Sequence, residues 1–241
     1  GSTMFGYNVT DEATIAQELQ NLVGDQYCVY NQGRAYFYSK QENNLFAQHI
    51  ENNQKIDYAI FLDGINERCG GYEYDKHINR SFQILVERPY KMWKKTSMDF
   101  AISLPLIQFY NSIQNKNRWI NDGENNILEI ESCKNKIPLD QLFEKRVNLR
   151  HALCNEEKIN CLSFLQPFAG VHGRQIEKLQ SKQYQKKLLK KYNILKKNKR
   201  YVVDLGYVLN NDKTLSYIDG VHYSPLTNKK IALEFKSFLI N

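Results

Sequence analysis

The sequence predicts an α/β fold built on a mostly parallel sheet. Three observations lead there. Amphipathic segments with helical spacing alternate with short apolar runs near the start of the chain. A further apolar run, "NCLSFLQP", follows a helical segment near residue 139 and is closed by Pro167. The order helix, strand, helix, strand at close spacing is the pattern of parallel strands joined by crossover helices.

The elements follow in order. "DEATIAQELQNLVG" places Ile15, Leu19, Leu22 and Val23 on one helical face, and Gly24 offers a stop. "QYCVYN" reads as a buried strand. "SKQENNLFAQHIENN" opens with Ser39 and Glu42 at capping-box spacing, with Leu45, Phe46, His49 and Ile50 on its apolar side. "KIDYAIFLDG" reads as a strand from Ile56 to Leu62. Residues 69–138 read as an insertion carrying Trp93 and Trp119, with a helix near 99–115 kinked or begun at Pro105. "LDQLFEKRVNLRHALCNEE" is helical. The segment from Gln175 to Arg200 is a strongly basic helix, and "YVVDL" a short strand or helix-packing segment. A last helix starts after Ser224, which caps it, with Pro225 at its first position. With no internal repeat and no long linker, residues 1–241 are expected to form one domain.

Bulk properties narrow the function classes. Hydrophobic residues make up 42% of the 241 residues, enough for a packed core. The net charge of +7 fits either an anionic partner or one solvated basic helix, and the second is the commoner case. The basic stretch Lys182–Arg200 includes Lys186, Lys187, Lys190, Lys191, Lys196, Lys197 and Lys199. A solvated face is its first reading, with Leu188, Leu189, Tyr192 and Leu195 toward the sheet, and an anionic surface is the second. Few aromatics are interleaved there, so no nucleic acid is expected. The five cysteines, Cys28, Cys69, Cys133, Cys154 and Cys161, are odd in number and hold no C-x-x-C pair. That disfavours a zinc site or a dense disulfide framework, leaving one bridge possible, with Cys28 and Cys161 read as core residues. No apolar run of about eighteen residues occurs, and no signal peptide is visible. The opening "GSTMFG" reads as an internal start, with a strand and a leader or anchor expected to be possible before it, so the compartment stays open.

Residues that bear chemistry collect where strands are expected to end, which is where open parallel sheets place their sites. "NQGRA" with Gly33 follows the run "QYCVY", and "DGINE" with Asn66 follows "DYAIFL". "SYIDGVHYSP" sets Asp219 three residues before His222 in a turn. Ser2 precedes the first helix and would lie beyond the end of a strand placed before Gly1. Such residue types suit acyl transfer: a serine, an imidazole to take its proton, and a carboxylate to orient that imidazole. Backbone N–H groups of Ser2 and Gly33 and the Asn66 amide are the candidate donors to an oxyanion. His49, His77 and His151 read as structural, His172 as a loop residue, and Asp63 and Asp204 as turn or cap residues. Gln166 and Arg174 are candidate substrate contacts.

These blocks, "GSTMFGYNV", Gly33, "DGIN" and "DGVH", resemble in that order the conserved blocks of the SGNH (GDSL-type) hydrolases. Ser2 and Gly6 keep the family's Ser-to-Gly spacing, although Gly1 stands where many members have Asp. The resemblance runs from Ser2 to about Ala232 and is poor over 69–158. It implies a flavodoxin-like three-layer α/β/α fold, and a serine esterase cleaving O-acyl or O-acetyl esters through an acyl-enzyme. It assigns Ser2, Asp219 and His222 to catalysis and Ser2, Gly33 and Asn66 to the oxyanion hole. It implies a small-molecule or carbohydrate ester as substrate and requires neither metal nor organic cofactor. An O-acyltransferase acting on a glycan, and a non-catalytic binder of anionic polymers, are the alternatives.

Overall fold

A computed structural model describes residues 1–69, 137–173, 182–197, 200–210 and 213–239. The expectations for His77, Trp93, Pro105, Trp119, Cys133, Arg174 and Lys199 lie outside these residues. Gly1–Arg68 and Ile137–Asn241 form one compact unit of mixed α/β structure. Its helices are α1 (Ser2–Phe5), α2 (Ile15–Val23), α3 (Ser39–Glu51), α4 (Leu139–Glu156), α5 (Lys182–Leu195) and α6 (Pro225–Leu239). Its strands are β1 (Tyr58–Asp63), β2 (Asn160–Leu165) and β3 (Val202–Asp204).

The three strands form a parallel sheet in the order β1-β2-β3. Tyr58 pairs with Asn160 and Asp63 with Leu165, and the shorter β3 joins with Ser163 opposite Val202. Strand residues alternate between two apolar clusters, as the period of two requires. Leu62 and Phe164 pack with Ile15, Leu19 and Val23 of α2 and with Ile231, Phe235 and Leu239 of α6. Phe61 turns the other way and packs with Phe46 of α3 and Cys154 of α4. Cys154 and Cys161 are disulfide-bonded, joining the end of α4 to β2.

Local chemistry sets the helix ends. Thr14 caps α2, accepting from the Gln17 N–H at 3.2 Å, and Ser224 caps α6, accepting from the Thr227 N–H at 3.3 Å. The cap of α3 differs from the expectation. Ser39 is its first helical residue, Tyr38 precedes the helix, and Gln41 reaches back to the Tyr38 N–H at 3.4 Å. Ser39 is diverted because its N–H and hydroxyl both donate to Glu67, each at 2.7 Å.

Four other expectations are corrected. The run "QYCVYN", extended at Tyr27, joins no strand among the described residues. The Gln20 side chain occupies its backbone instead: it donates to Tyr27 O at 2.9 Å and accepts from Val29 N–H at 2.7 Å. Cys28 is exposed rather than in the core. On α5, Leu188, Tyr192 and Leu195 are buried but Leu189 is exposed, and Lys191 is buried rather than on the solvated face. Asp63 is neither turn nor cap residue: its carboxylate takes two bonds from the Arg150 guanidinium, at 2.7 and 3.1 Å.

That ion pair is fully buried on both sides. Arg150 also donates to Asn43 at 2.8 Å and lies 3.8 Å from the centroid of the Phe61 ring. Asp63→Ala would remove the guanidinium's nearest anion, leaving it Asn43, Ser163 and the Glu42 carboxylate at 3.9 Å. The expected loss of stability is about 3–5 kcal/mol, read by urea denaturation. A loss below about 1 kcal/mol would show that the pair holds nothing together.

Candidate active site

Ser2 lies in α1, a single helical turn. Gly6 ends that turn in the left-handed region at φ 87°, with its N–H donating to Ser2 O at 3.1 Å. A side chain there would also strike Thr14, whose Cγ2 lies 2.4 Å from the position of a Cβ. The Ser-to-Gly spacing therefore has a local cause: Gly6 closes the turn that carries Ser2.

Asp219 and His222 occupy a loop closed at its base by an antiparallel bridge between Tyr217 and Tyr223. Ile218 N–H donates to His222 O at 2.9 Å, and Ser224 N–H to Ser216 O at 3.0 Å. The Tyr223 hydroxyl donates to Pro167 O at 2.8 Å, tying the loop to the segment after β2. Within the loop, Asp219 Oδ1 accepts from the N–H groups of Val221 and His222, both at 2.7 Å. A short acidic side chain bonded to backbone a few residues on is a turn-former, which explains why Asp precedes Gly here.

The second oxygen of Asp219 faces the imidazole. His222 Nδ1 is 2.6 Å from Asp219 Oδ2, and His222 Nε2 is 3.0 Å from Ser2 Oγ. Serine, imidazole and carboxylate thus form one hydrogen-bonded chain across 220 residues of sequence. Burial alone would raise the Asp219 carboxyl. The His222 side chain and the two backbone N–H groups win instead and hold it at about 2. Asp219 is therefore an anion at neutral pH, positioned to accept a proton-bearing Nδ1.

Asn66 follows β1 in the "DGINE" turn and is half-buried. Its amide donates to Phe37 O at 3.2 Å and lies 2.9 Å from where a Cβ on Gly1 would stand, beside the residue preceding Ser2. The turn is fixed by charges beneath it. Lys191 Nζ donates to Ile65 O at 2.6 Å, and Glu67 accepts from Ser39 and, at 3.3 Å, from Arg146. Burial lowers the Lys191 ammonium to about 7 and raises the Glu67 carboxyl.

Gly33 is also beside α1. A Cβ there would stand 2.4 Å from Phe5 N and 2.6 Å from Met4 C. Its N–H, however, donates to Asn31 Oδ1 at 2.9 Å, so in this state it is not a free donor. Of the residues read from sequence, Ser2, Asp219 and His222 are joined directly, while Asn66 and Gly33 adjoin the helix that carries Ser2. Gln166 is buried, and its side chain packs where a side chain on Gly64 would go. His172 accepts from Phe168 N–H at 3.1 Å, and His151 stacks on Tyr201 at 4.3 Å, both away from this chain of contacts.

Two neighbours were not singled out by sequence. The half-exposed Tyr7 ring lies 4.7 Å from the His222 ring. Asn8 Nδ2 donates to Asp219 Oδ2 at 2.8 Å. The available signal was the Asn at residue 8, a type that tolerates the left-handed backbone, but its partner lies 211 residues away.

No group of three or more His, Cys, Asp or Glu among the described residues is arranged to hold a metal ion. No helix among them is long and apolar enough to cross a membrane. In comparisons with known proteins, neither a family model nor a curated protein matches this chain.

Gly33→Ala should expose the close approach to α1. The methyl meets backbone atoms, which cannot rotate away, so the expected cost is about 1–3 kcal/mol. An unchanged urea midpoint would mean that α1 does not sit against Gly33.

Proposed function

We propose that the chain is a serine esterase of the SGNH type, with that family's flavodoxin-like three-layer fold in a single domain carrying an insertion at about 69–138. It cleaves O-acyl esters, with O-acetyl esters the first choice, through an acyl-enzyme on Ser2. The observation that carries this reading is the pair of contacts at His222: Nε2 to Ser2 Oγ at 3.0 Å and Nδ1 to Asp219 Oδ2 at 2.6 Å.

Each step follows from those atoms. His222 Nε2 accepts the Ser2 hydroxyl proton as Oγ attacks the ester carbonyl carbon. The imidazolium that forms keeps its Nδ1–H on the Asp219 anion. The carbonyl oxygen becomes an oxyanion, for which the Ser2 N–H, at the start of α1, and the Asn66 amide are the donors. One Asn66 N–H is engaged by Phe37 O, leaving the other for this role. Gly33 N–H becomes a third donor once it releases Asn31 Oδ1. Collapse expels the alcohol, which takes the proton from Nε2. Water then attacks the acyl-Ser2 carbonyl with His222 again as base, releasing the carboxylic acid and restoring the serine.

Labelling with a fluorophosphonate probe tests the nucleophile. Wild type is expected to label once, at Ser2, and Ser2→Ala to lose both labelling and hydrolysis of p-nitrophenyl acetate. Labelling that survives the substitution would remove Ser2 from the reaction. Asn66→Ala is expected to lower kcat by about 10²–10³ with little change in KM, because its bond is made mainly in the transition state. A change in KM alone would assign Asn66 to ground-state binding.

The pH dependence has a definite sign. Asp219 stays ionised down to about pH 2, so it does not titrate in the working range. Turnover with chemistry rate-limiting is expected to rise with pH between about 5 and 8, because a general base must be unprotonated to accept the serine proton. A flat profile over that range would exclude His222 as the base.

A further inference from the structure

Asp219 has room for about four hydrogen bonds, and all four acceptor positions are used. Three donors come from its own loop: the N–H groups of Val221 and His222 and the His222 ring. The fourth is Asn8 Nδ2, at 2.8 Å on Oδ2, the oxygen that also holds His222 Nδ1. Asn8 is the donor that comes from outside the loop. It follows α1 and Gly6, so it links the segment carrying Ser2 to the carboxylate that orients His222.

The backbone of Asn8 supports a specific role. Its φ is 67°, in the left-handed region that side chains other than those of Gly, Asn and Asp rarely adopt. Gly would be the simplest occupant, but it has no amide. Asn satisfies the backbone and supplies the donor together.

We propose that Asn8 is a positioning residue. It fixes Asp219 Oδ2, locks the 216–224 loop onto the segment behind α1, and thereby sets the pH range over which His222 works as a base. The role at catalysis rests on the esterase reading given above. The electrostatic sign is direct. An N–H on Oδ2 withdraws charge from the oxygen that holds Nδ1–H. Losing it leaves Oδ2 a stronger partner for the imidazolium, so the charged ring is favoured and His222 takes its proton at higher pH. Among the described residues, the titratable groups facing the ring are Asp219, from its own loop, and the Tyr7 phenol, from the segment after α1; Ser2 and Asn8 are uncharged.

The test uses two variants and two readouts. Asn8→Gly keeps the left-handed backbone and removes the donor. Asn8→Asp tolerates the same backbone and sets a second carboxylate against Asp219. The first readout is the NMR titration of the His222 ring, assigned by its loss in His222→Gln, which needs no substrate. The second is the pH profile of p-nitrophenyl acetate hydrolysis. In Asn8→Gly the ring midpoint and the acidic limb of kcat/KM are expected to rise together by about 0.5–1 pH unit, and further in Asn8→Asp. Midpoints unchanged in a folded variant would overturn the inference, since a purely structural contact would shift stability and leave the titration in place. A wild type that neither hydrolyses the ester nor labels with fluorophosphonate would sink the esterase reading alone, because the ring titration still decides Asn8. Should Asn8→Gly fail to fold, Asn8→Ala, which also removes the donor and adds no charge, carries the decision.

Discussion

The apolar seam between α2 and α6 brings residue 2 to residue 222. Ile15 and Leu19 on one side, and Ile231 and Phe235 on the other, are buried in the same cluster as Leu62 and Phe164 of the sheet. Each helix follows one of the two segments: α6 directly follows the loop carrying His222, and α2 follows the turn carrying Ser2 after residues 6–14. The Asn228 amide adds a polar stitch, donating to Ala13 O at 2.8 Å just before α2. Burying a side chain of this size stabilises by about 1.5–3 kcal/mol, so the seam outweighs any single hydrogen bond in the chain of contacts it creates.

A second constraint acts on the opposite side of the sheet, and it is electrostatic. Asp63, Glu67, Arg146, Arg150 and Lys191 are all buried around the end of β1. Buried charges persist when paired and hydrogen-bonded, as the Asp63–Arg150 and Glu67–Arg146 pairs are, while the Lys191 amine is bonded to a carbonyl and lowered by its burial. Arg150 grips Asp63, Glu67 spans Ser39 and Arg146, and Lys191 holds Ile65 O. The guanidinium groups of Arg68 and Arg146 lie 4.7 and 4.9 Å from the centroid of the buried Tyr38 ring. The "DGINE" turn thus has its flanks clamped from three helices. The Asn66 side chain emerges from a rigid base, while α1 rests on Gly33 beside it.

How much of this was legible differs by residue. Helices α2, α4 and α6 and strands β1 and β2 follow from apolar spacing, and Ser224 from the capping preference of its type, whereas Gly6 stood out only by its distance from Ser2. "QYCVY" misleads, because its apolar run fits a strand, yet among the described residues it joins none and the Gln20 amide bonds Tyr27 O and Val29 N–H. Lys191 and Leu189 exchange expected surroundings, since composition marks α5 as basic but not which lysine meets a carbonyl oxygen. Asp63 reads as a turn residue because its partner Arg150 is 87 residues away.

The sequence by itself determined what acts over a few residues: the Asp219 turn that aims His222, the cap on α6 and the apolar runs of β1 and β2. Backbone sterics and local hydrogen bonds fix these without reference to the rest of the chain. Only the tertiary structure decided which local pieces meet. It set Ser2 Oγ on His222, gave the last acceptor position of Asp219 to Asn8, engaged the Gly33 N–H with Asn31, and buried five charged side chains under one turn. Those outcomes depend on the burial of apolar surface and the pairing of charges between distant segments. Apolar periodicity marks which face of an element is buried but not the segment it meets, and charge pairing leaves no periodic mark at all.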